Sequence, residues 1–238
     1  IFEVLKDIVN DVNVYFTPEG VKILTLDTAR VTLIHVFLPA DNFEEYSCES
    51  EIIAGLNLAN THKLLKSVTN NDSIRMVLEG HDVLEIYIQN EVKHTNTVFK
   101  LKLLEINEDD LIVPDVEMNL VTTIPSVDFQ RITRDMGNIA SEISIYRYDN
   151  TIELSCEGDY ADQKTTIECP ITIPSERMGN LFSLKYINMF TKATNLCSSV
   201  QIFQDSANCD MPIVFRYAIA ILGEVKFYLA PLIPKNDT

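Results

Sequence analysis

Through most of this 238-residue chain apolar side chains recur at every second position between short turn signals, the pattern of half-buried strands. Thr151-Ile-Glu-Leu-Ser-Cys156, Ser73-Ile-Arg-Met-Val-Leu78 and Val83-Leu-Glu-Ile-Tyr-Ile88 are clear cases. Helical spacing is confined to four short segments, Phe2 to Val12, Leu58 to Val68, Val127 to Ile139 and Lys185 to Ala193. They stand among about sixteen expected strands. Ahead of the third, Pro125-Ser126 is expected to cap a helix that carries Phe129, Ile132, Met136 and Ile139 on one face.

The order of these elements repeats. Phe2 to Ala29 reads helix, strand, turn, strand; Val127 to Gly158 reads the same, and the stretch from Leu58 onward is echoed from Lys185 onward. An internal duplication follows, hence an α+β chain of two similar domains, expected over residues 1–104 and 120–238 with a connector at 105–119. The second copy opens on an extended segment, Asn119 to Ile124, that has no counterpart ahead of the first helix. The first strand of the first domain is therefore expected to lie upstream of Ile1; the residues from Ile1 onward do not open on a basic-then-apolar leader, so no signal or transit peptide is read in them.

A hydrophobic fraction of 46% with 23% charged residues suits two folded cores. The longest apolar stretches, Val31 to Leu38 and Ile213 to Leu222, are broken by His35 and Arg216, so no membrane span is expected. Cys48, Cys156, Cys169, Cys197 and Cys209 are scattered without a C-x-x-C pair or a His at zinc-ligand spacing, and read as reduced core thiols. The connector holds Glu105, Glu108, Asp109, Asp110, Asp115 and Glu117 around Leu111-Ile-Val-Pro114. Its apolar residues either pin it to the domains or form part of a docking groove.

Thirty-five acids against nineteen bases leave a formal charge of −16, which speaks against casual nucleic-acid binding. The bases are unevenly placed, however. Lys63 and Lys66 are three apart, as are Arg131 and Arg134, while Lys185, Asn188 and Lys192 are offset by three and seven, and Lys6 is followed by Asn10. Such spacing aligns side chains on one side of a helix, opposite its apolar face. Leu58 to Asn71 and Ser183 to Gln204 contain no acid at all. One such helix would be an ordinary solvated face; four together suit a polyanion such as the backbone of duplex DNA. No series of aromatic residues interleaves with the basic positions to stack bases, and no recognition motif is present, so sequence-specific or single-strand reading is not expected.

Phe190-Thr-Lys-Ala-Thr194, Met211-Pro-Ile-Val214 and the run Val225-Lys-Phe-Tyr-Leu-Ala-Pro231 resemble blocks of the proliferating cell nuclear antigen (PCNA) family of DNA sliding clamps. Arg131-Ile-Thr-Arg-Asp135 is similar to the third helix of that family, Leu26-Asp27 with Val31-Thr-Leu33 to its early strand and loop, and Leu111 and Pro114 to its connector. The resemblance spans essentially the whole chain. It implies the DNA-clamp fold, two similar domains per subunit, each with inner helices against curved antiparallel sheets, in a ring of three subunits. It puts Lys6, Lys63, Lys66, Arg131, Arg134, Lys185 and Lys192 on the DNA-facing surface. Leu26, Val31, Leu111, Val113, Pro212, Tyr228, Ala230 and Pro231 would surround a pocket for a partner peptide. Edge strands at Val98 to Leu104 and Lys164 to Cys169, flanked by Phe99 and Tyr160, would close the ring.

The implied partners are duplex DNA bound without sequence preference, a polymerase, a clamp loader, other proteins carrying a PCNA-interacting peptide, and two further copies of the chain. The implied site of action is the nucleus, or the replication site of an infected cell if the protein is viral. Departures from the family are a short stretch between Ile167 and Phe182, Arg30 where many members have His, and Asp149 at the position of a modifiable lysine. No catalytic residue, cofactor or metal is expected: the seven glycines form no nucleotide-binding pattern, and His35, His62, His81 and His94 lie far apart. The rival reading is a clamp-fold interaction module that works as a monomer or in a heteromeric ring.

Overall fold

The computed structural model describes residues 1–80, 82–107, 111–113, 119–169, 177–206, 208 and 210–233. His81, Cys209, Pro114 and five of the six connector acids lie outside the described residues. The chain divides into two compact units, Ile1–Thr25 with Val36–Leu111, and Leu26–His35 with Ile112–Thr238. The division falls inside the expected connector, and one early segment belongs to the second unit.

As far as Lys102 the chain runs α1 (Phe2–Leu5), β1 (Asp11–Thr17), β2 (Gly20–Leu26), β3 (Thr32–Pro39), β4 (Ile52–Asn57), α2 (Leu58–Leu65), β5 (Asp72–Leu78), β6 (Val83–Asn90) and β7 (Thr95–Lys102), with Thr32–His35 of β3 in the second unit. The remainder runs β8 (Leu120–Pro125), α3 (Ser126–Gly137), β9 (Glu142–Tyr148), β10 (Thr151–Glu157), β11 (Asp162–Glu168), β12 (Met178–Ser183), α4 (Leu184–Phe190), β13 (Ser199–Gln204), β14 (Ile213–Ile219) and β15 (Gly223–Leu229). The duplication is thus a repeat of topology: β4-β1-β2-β3 in one copy matches β12-β9-β10-β11 in the other, and β5-β6-β7 matches β13-β14-β15. The second copy adds β8 alongside β13; β5, the counterpart of β13, has no such neighbour among the described residues.

Two expectations need correction. The first helix ends at Leu5 rather than Val12, because Val12 and Val14 are buried in a strand whose register pairs Asp11 with Asn57 and Val14 with Ala54. Val12 continues the helical spacing of Leu5 and Val9 and also opens the strand alternation with Val14, and cross-strand pairing decided the matter. Ser126 does not cap the third helix either. It is fully buried, and its hydroxyl donates to the Cys197 carbonyl at 2.6 Å, binding the start of α3 to the chain that follows α4. The second helix is capped by Asn57, whose side chain accepts from the Asn60 amide at 2.9 Å.

In the second unit α3 and α4 lie together on β14 and β15. Phe190 stacks on Phe227 with ring centroids 4.5 Å apart, and Phe129 on Phe215 at 5.6 Å. All four rings are fully buried, each contributing roughly 1.5–3 kcal/mol by leaving water. Gly137 lets the helices approach, since a Cβ there would stand 2.6 Å from the Asn188 amide nitrogen. Asp149 and Asn150 turn β9 into β10 in two residues, both with positive φ, the left-handed pair that a tight hairpin requires. The packing leaves the polar side of each helix outward.

Candidate functional site

In the first unit Lys63 on α2 and Lys66 at its end are exposed and have no partner among the described residues. Their helix buries Leu58 and Thr61 on the opposite side. Lys6 differs: its side chain is only 25% exposed and its ammonium lies 3.1 Å from the Asp7 carboxylate. In the second unit α3 buries Phe129, Ile132, Thr133 and Met136 and exposes Arg131 and Arg134. Arg131 approaches Asp128 at 3.6 Å, a solvated pair that constrains it little. Lys185 is exposed on α4 with its ammonium 5.7 Å from the centre of the Tyr186 ring, and Lys192 is exposed on the turn Thr191–Asn195. Six of the seven expected bases therefore project into solvent from helical segments.

The two expected edge strands are edges. β7 borders the sheet β5-β6-β7 and β11 borders β12-β9-β10-β11; neither has a strand on its outer side among the described residues. Phe99 is half-buried, paired across from the buried Ile86, whereas Tyr160 is 74% exposed and donates to the Asn138 carbonyl at 2.9 Å.

Seven of the eight residues expected to surround a pocket belong to the second unit. The Ala230 amide donates to the Val31 carbonyl at 3.1 Å, which sets the C-terminal run beside the loop that follows Leu26. Pro212 enters β14, whose first residue Ile213 faces Leu229, so Pro212 and Ala230 lie at the same end of one hairpin. Leu26, Val31, Pro212, Ala230 and Pro231 are half-buried apolar surface, and Tyr228 is buried. Val113 is half-buried in this unit; Leu111, also half-buried, belongs to the first.

Sequence reasoning missed what holds this loop. Asp27 is 5% exposed, and its carboxylate accepts from the Val31 and Thr32 amides, both at 2.7 Å, from the Ala29 amide at 3.1 Å and from the Tyr186 hydroxyl at 2.7 Å. Burial pushes its pKa up, but the bonds from Thr32, Tyr186, Val31 and Ala29 outweigh burial and hold it below the usual carboxylate range. Arg30 sits at the tip of the turn with φ 57°, exposed. Leu-Asp-Thr-Ala-Arg has the residues of an Asx turn, which was the available signal; nothing in a linear reading points to Tyr186.

Two buried charges were missed as well. Arg147, 1% exposed, donates from Nε to Gln204 Oε1 at 2.5 Å, from Nη2 to the Ile202 carbonyl at 2.8 Å and from Nη1 to the Thr122 hydroxyl, and burial lowers its pKa to about 10. It ties β9 to β8 and β13. Glu153 on β10 accepts from Lys164 of the edge strand β11, from Tyr148 at 2.7 Å and from Arg177 at 3.0 Å. The Lys164 bond leads in holding its carboxyl below the usual range against burial. Cys48, Cys156, Cys169 and Cys197 are free thiols, the middle two buried.

Comparison with known proteins follows the same division. The family model for the N-terminal domain of proliferating cell nuclear antigen matches residues 1–111, and that for its C-terminal domain matches residues 112–232. A relative named "Probable DNA polymerase sliding clamp 1", from Paramecium bursaria Chlorella virus 1, is 35% identical over 244 residues, covering 98% of this chain and 92% of its own length.

Proposed function

The chain belongs to the proliferating cell nuclear antigen family of DNA sliding clamps, and on that premise we propose that three copies close into a ring around duplex DNA. The family works as non-enzymatic processivity factors, and partnership with DNA and a polymerase comes with membership. For this chain the reading is that it performs no catalysis, is placed on DNA by a clamp loader, and acts where DNA is replicated, in the nucleus or at a viral replication site.

One observation carries the ring. In the second unit Thr32–His35, the first half of β3, lies beside β15. By the repeat of topology β11 corresponds to β3 and β7 to β15, and β11 and β7 are edges with no outer neighbour among the described residues. Pairing β7 of one copy with β11 of the next would repeat a junction the chain already makes, and would cover edges that are otherwise templates for uncontrolled pairing. Each exposed set of helix bases would then meet phosphates, electrostatically and without base readout.

A ring on DNA is useful once an enzyme is tethered to it and gains effective concentration. The apolar surface formed by Leu26, Val31, Pro212, Tyr228, Ala230 and Pro231 is the proposed dock, with Val113 at its margin. Its ligand would be a short helical turn with one aliphatic and two aromatic anchors after a Gln. Changing Val113 and Pro231 together to Ala should weaken such a synthetic peptide by about 1 kcal/mol per anchor, roughly tenfold or more in calorimetry. Unchanged affinity with an unchanged melting temperature would put the dock elsewhere.

A further inference from the structure

The turn from Asp27 to Thr32 is held in two separable ways. Its own shape is fixed locally: the Asp27 amide donates to the Thr32 carbonyl at 2.9 Å, the Arg30 amide to the Asp27 carbonyl at 2.9 Å, and the Asp27 carboxylate receives three amides of the same turn. Its position is fixed from afar by the Ala230 amide on the Val31 carbonyl and the Tyr186 hydroxyl on Asp27 Oδ2. The first of these is one wall of the proposed dock. The second comes from α4, whose neighbouring residue Lys185 is one of the exposed bases. Leu184, Ile187 and Phe190 bury the other side of that short helix, so Tyr186 is attached to a rigid part of the core.

We propose that Tyr186 is a positioning residue for partner binding: through Asp27 it holds the 27–32 turn, and with it Leu26 and Val31, in register with Ala230 and Pro231. The inference rests on the docking reading above. The hydroxyl adds nothing to the shape of the turn, which keeps its three amide bonds without it. What it fixes is where a preformed turn stands, and a groove wall displaced by about an ångström spoils the packing on which a few dominant anchors depend. Burial, with the charge of Asp27, raises the hydroxyl's pKa to about 12, so it remains a donor throughout the neutral range. Asp27 is the acceptor for all four of these donors, which makes the carboxylate the point through which any change at Tyr186 must act.

The test uses the full chain, the synthetic peptide described above, and the variants Tyr186→Phe, Asp27→Asn and their double. Tyr186→Phe keeps the ring under Lys185 and removes only the donor. Peptide affinity should fall about five- to tenfold in Tyr186→Phe. The double variant should bind no more weakly than Asp27→Asn alone, because the two residues act in one path. Hydrogen exchange of the Ala230 amide should accelerate in Tyr186→Phe while exchange in β9 and β10 stays unchanged. Additive losses, or wild-type affinity in Tyr186→Phe, would overturn the inference while leaving the dock in place. Absence of peptide binding to the unmodified chain would remove the dock itself, and the inference with it.

Discussion

Replacing Lys63, Lys66, Arg131 and Arg134 together by Ala is expected to cut binding to duplex DNA about 100-fold at low salt and to flatten its salt dependence. Each phosphate that a base neutralises releases counterions, so the slope of log affinity against log salt should fall by about one for every phosphate left without its cation. All four side chains are exposed, and none is part of a packed core, so the variant should fold and assemble as the parent does. Binding to duplexes of different sequence should weaken equally, since no base edge is read. Equal loss on replacing Lys93, an exposed base on the β6–β7 turn and on none of the helices, would show that the effect is one of net charge alone. On a body carrying −16, that control matters.

Charge placed at the open edges is expected to have the other large effect. Phe99→Asp should convert the assembled protein to single chains at micromolar concentration, because an unpaired carboxylate in a closed interface costs on the order of 3–5 kcal/mol. Phe99 also faces Ile86 across the strand pair, so the substitution strains its own sheet. Tyr160→Asp is the companion, at a side chain 74% exposed where no core can collapse. Sedimentation of both variants, with a thermal melt of each, separates the effects: Tyr160→Asp should dissociate with its melt unchanged at the level of the single chain. An assembly that survives both changes would mean that β7 and β11 do not form the interface.

How far the sequence alone leads can be judged from individual elements. Strands β5, β6 and β10 were legible from their alternation, and in β6 burial follows it: Leu84, Ile86 and Ile88 turn inward as the period requires. The two copies of the topology were legible from order alone. The length of the first helix was not, since Val12 fits both the helical spacing of Leu5 and Val9 and the alternation with Val14, and only the pairing of β1 with β4 resolves it. Nor was the allegiance of Leu26–His35, which packs with the second unit. Bonds such as Tyr186 to Asp27, 159 residues apart, and Ala230 to Val31 tie it there. Arg147 shows a further limit: at an inward position of β9 a cation reads as an error in the pattern, and its burial rests on acceptors from β8 and β13 that no local window contains. The exposed bases were the most accessible part of the site, because helical spacing and the absence of nearby acids are properties of short segments.

The mass of the unmodified protein in dilute solution tests the central claim most directly. Light scattering or sedimentation equilibrium at micromolar concentration should give a single species of three times the 27.0 kDa chain mass, unchanged on dilution over a tenfold range. A species of 27.0 kDa under the same conditions would contradict the closed ring and leave a clamp fold that works as a single chain.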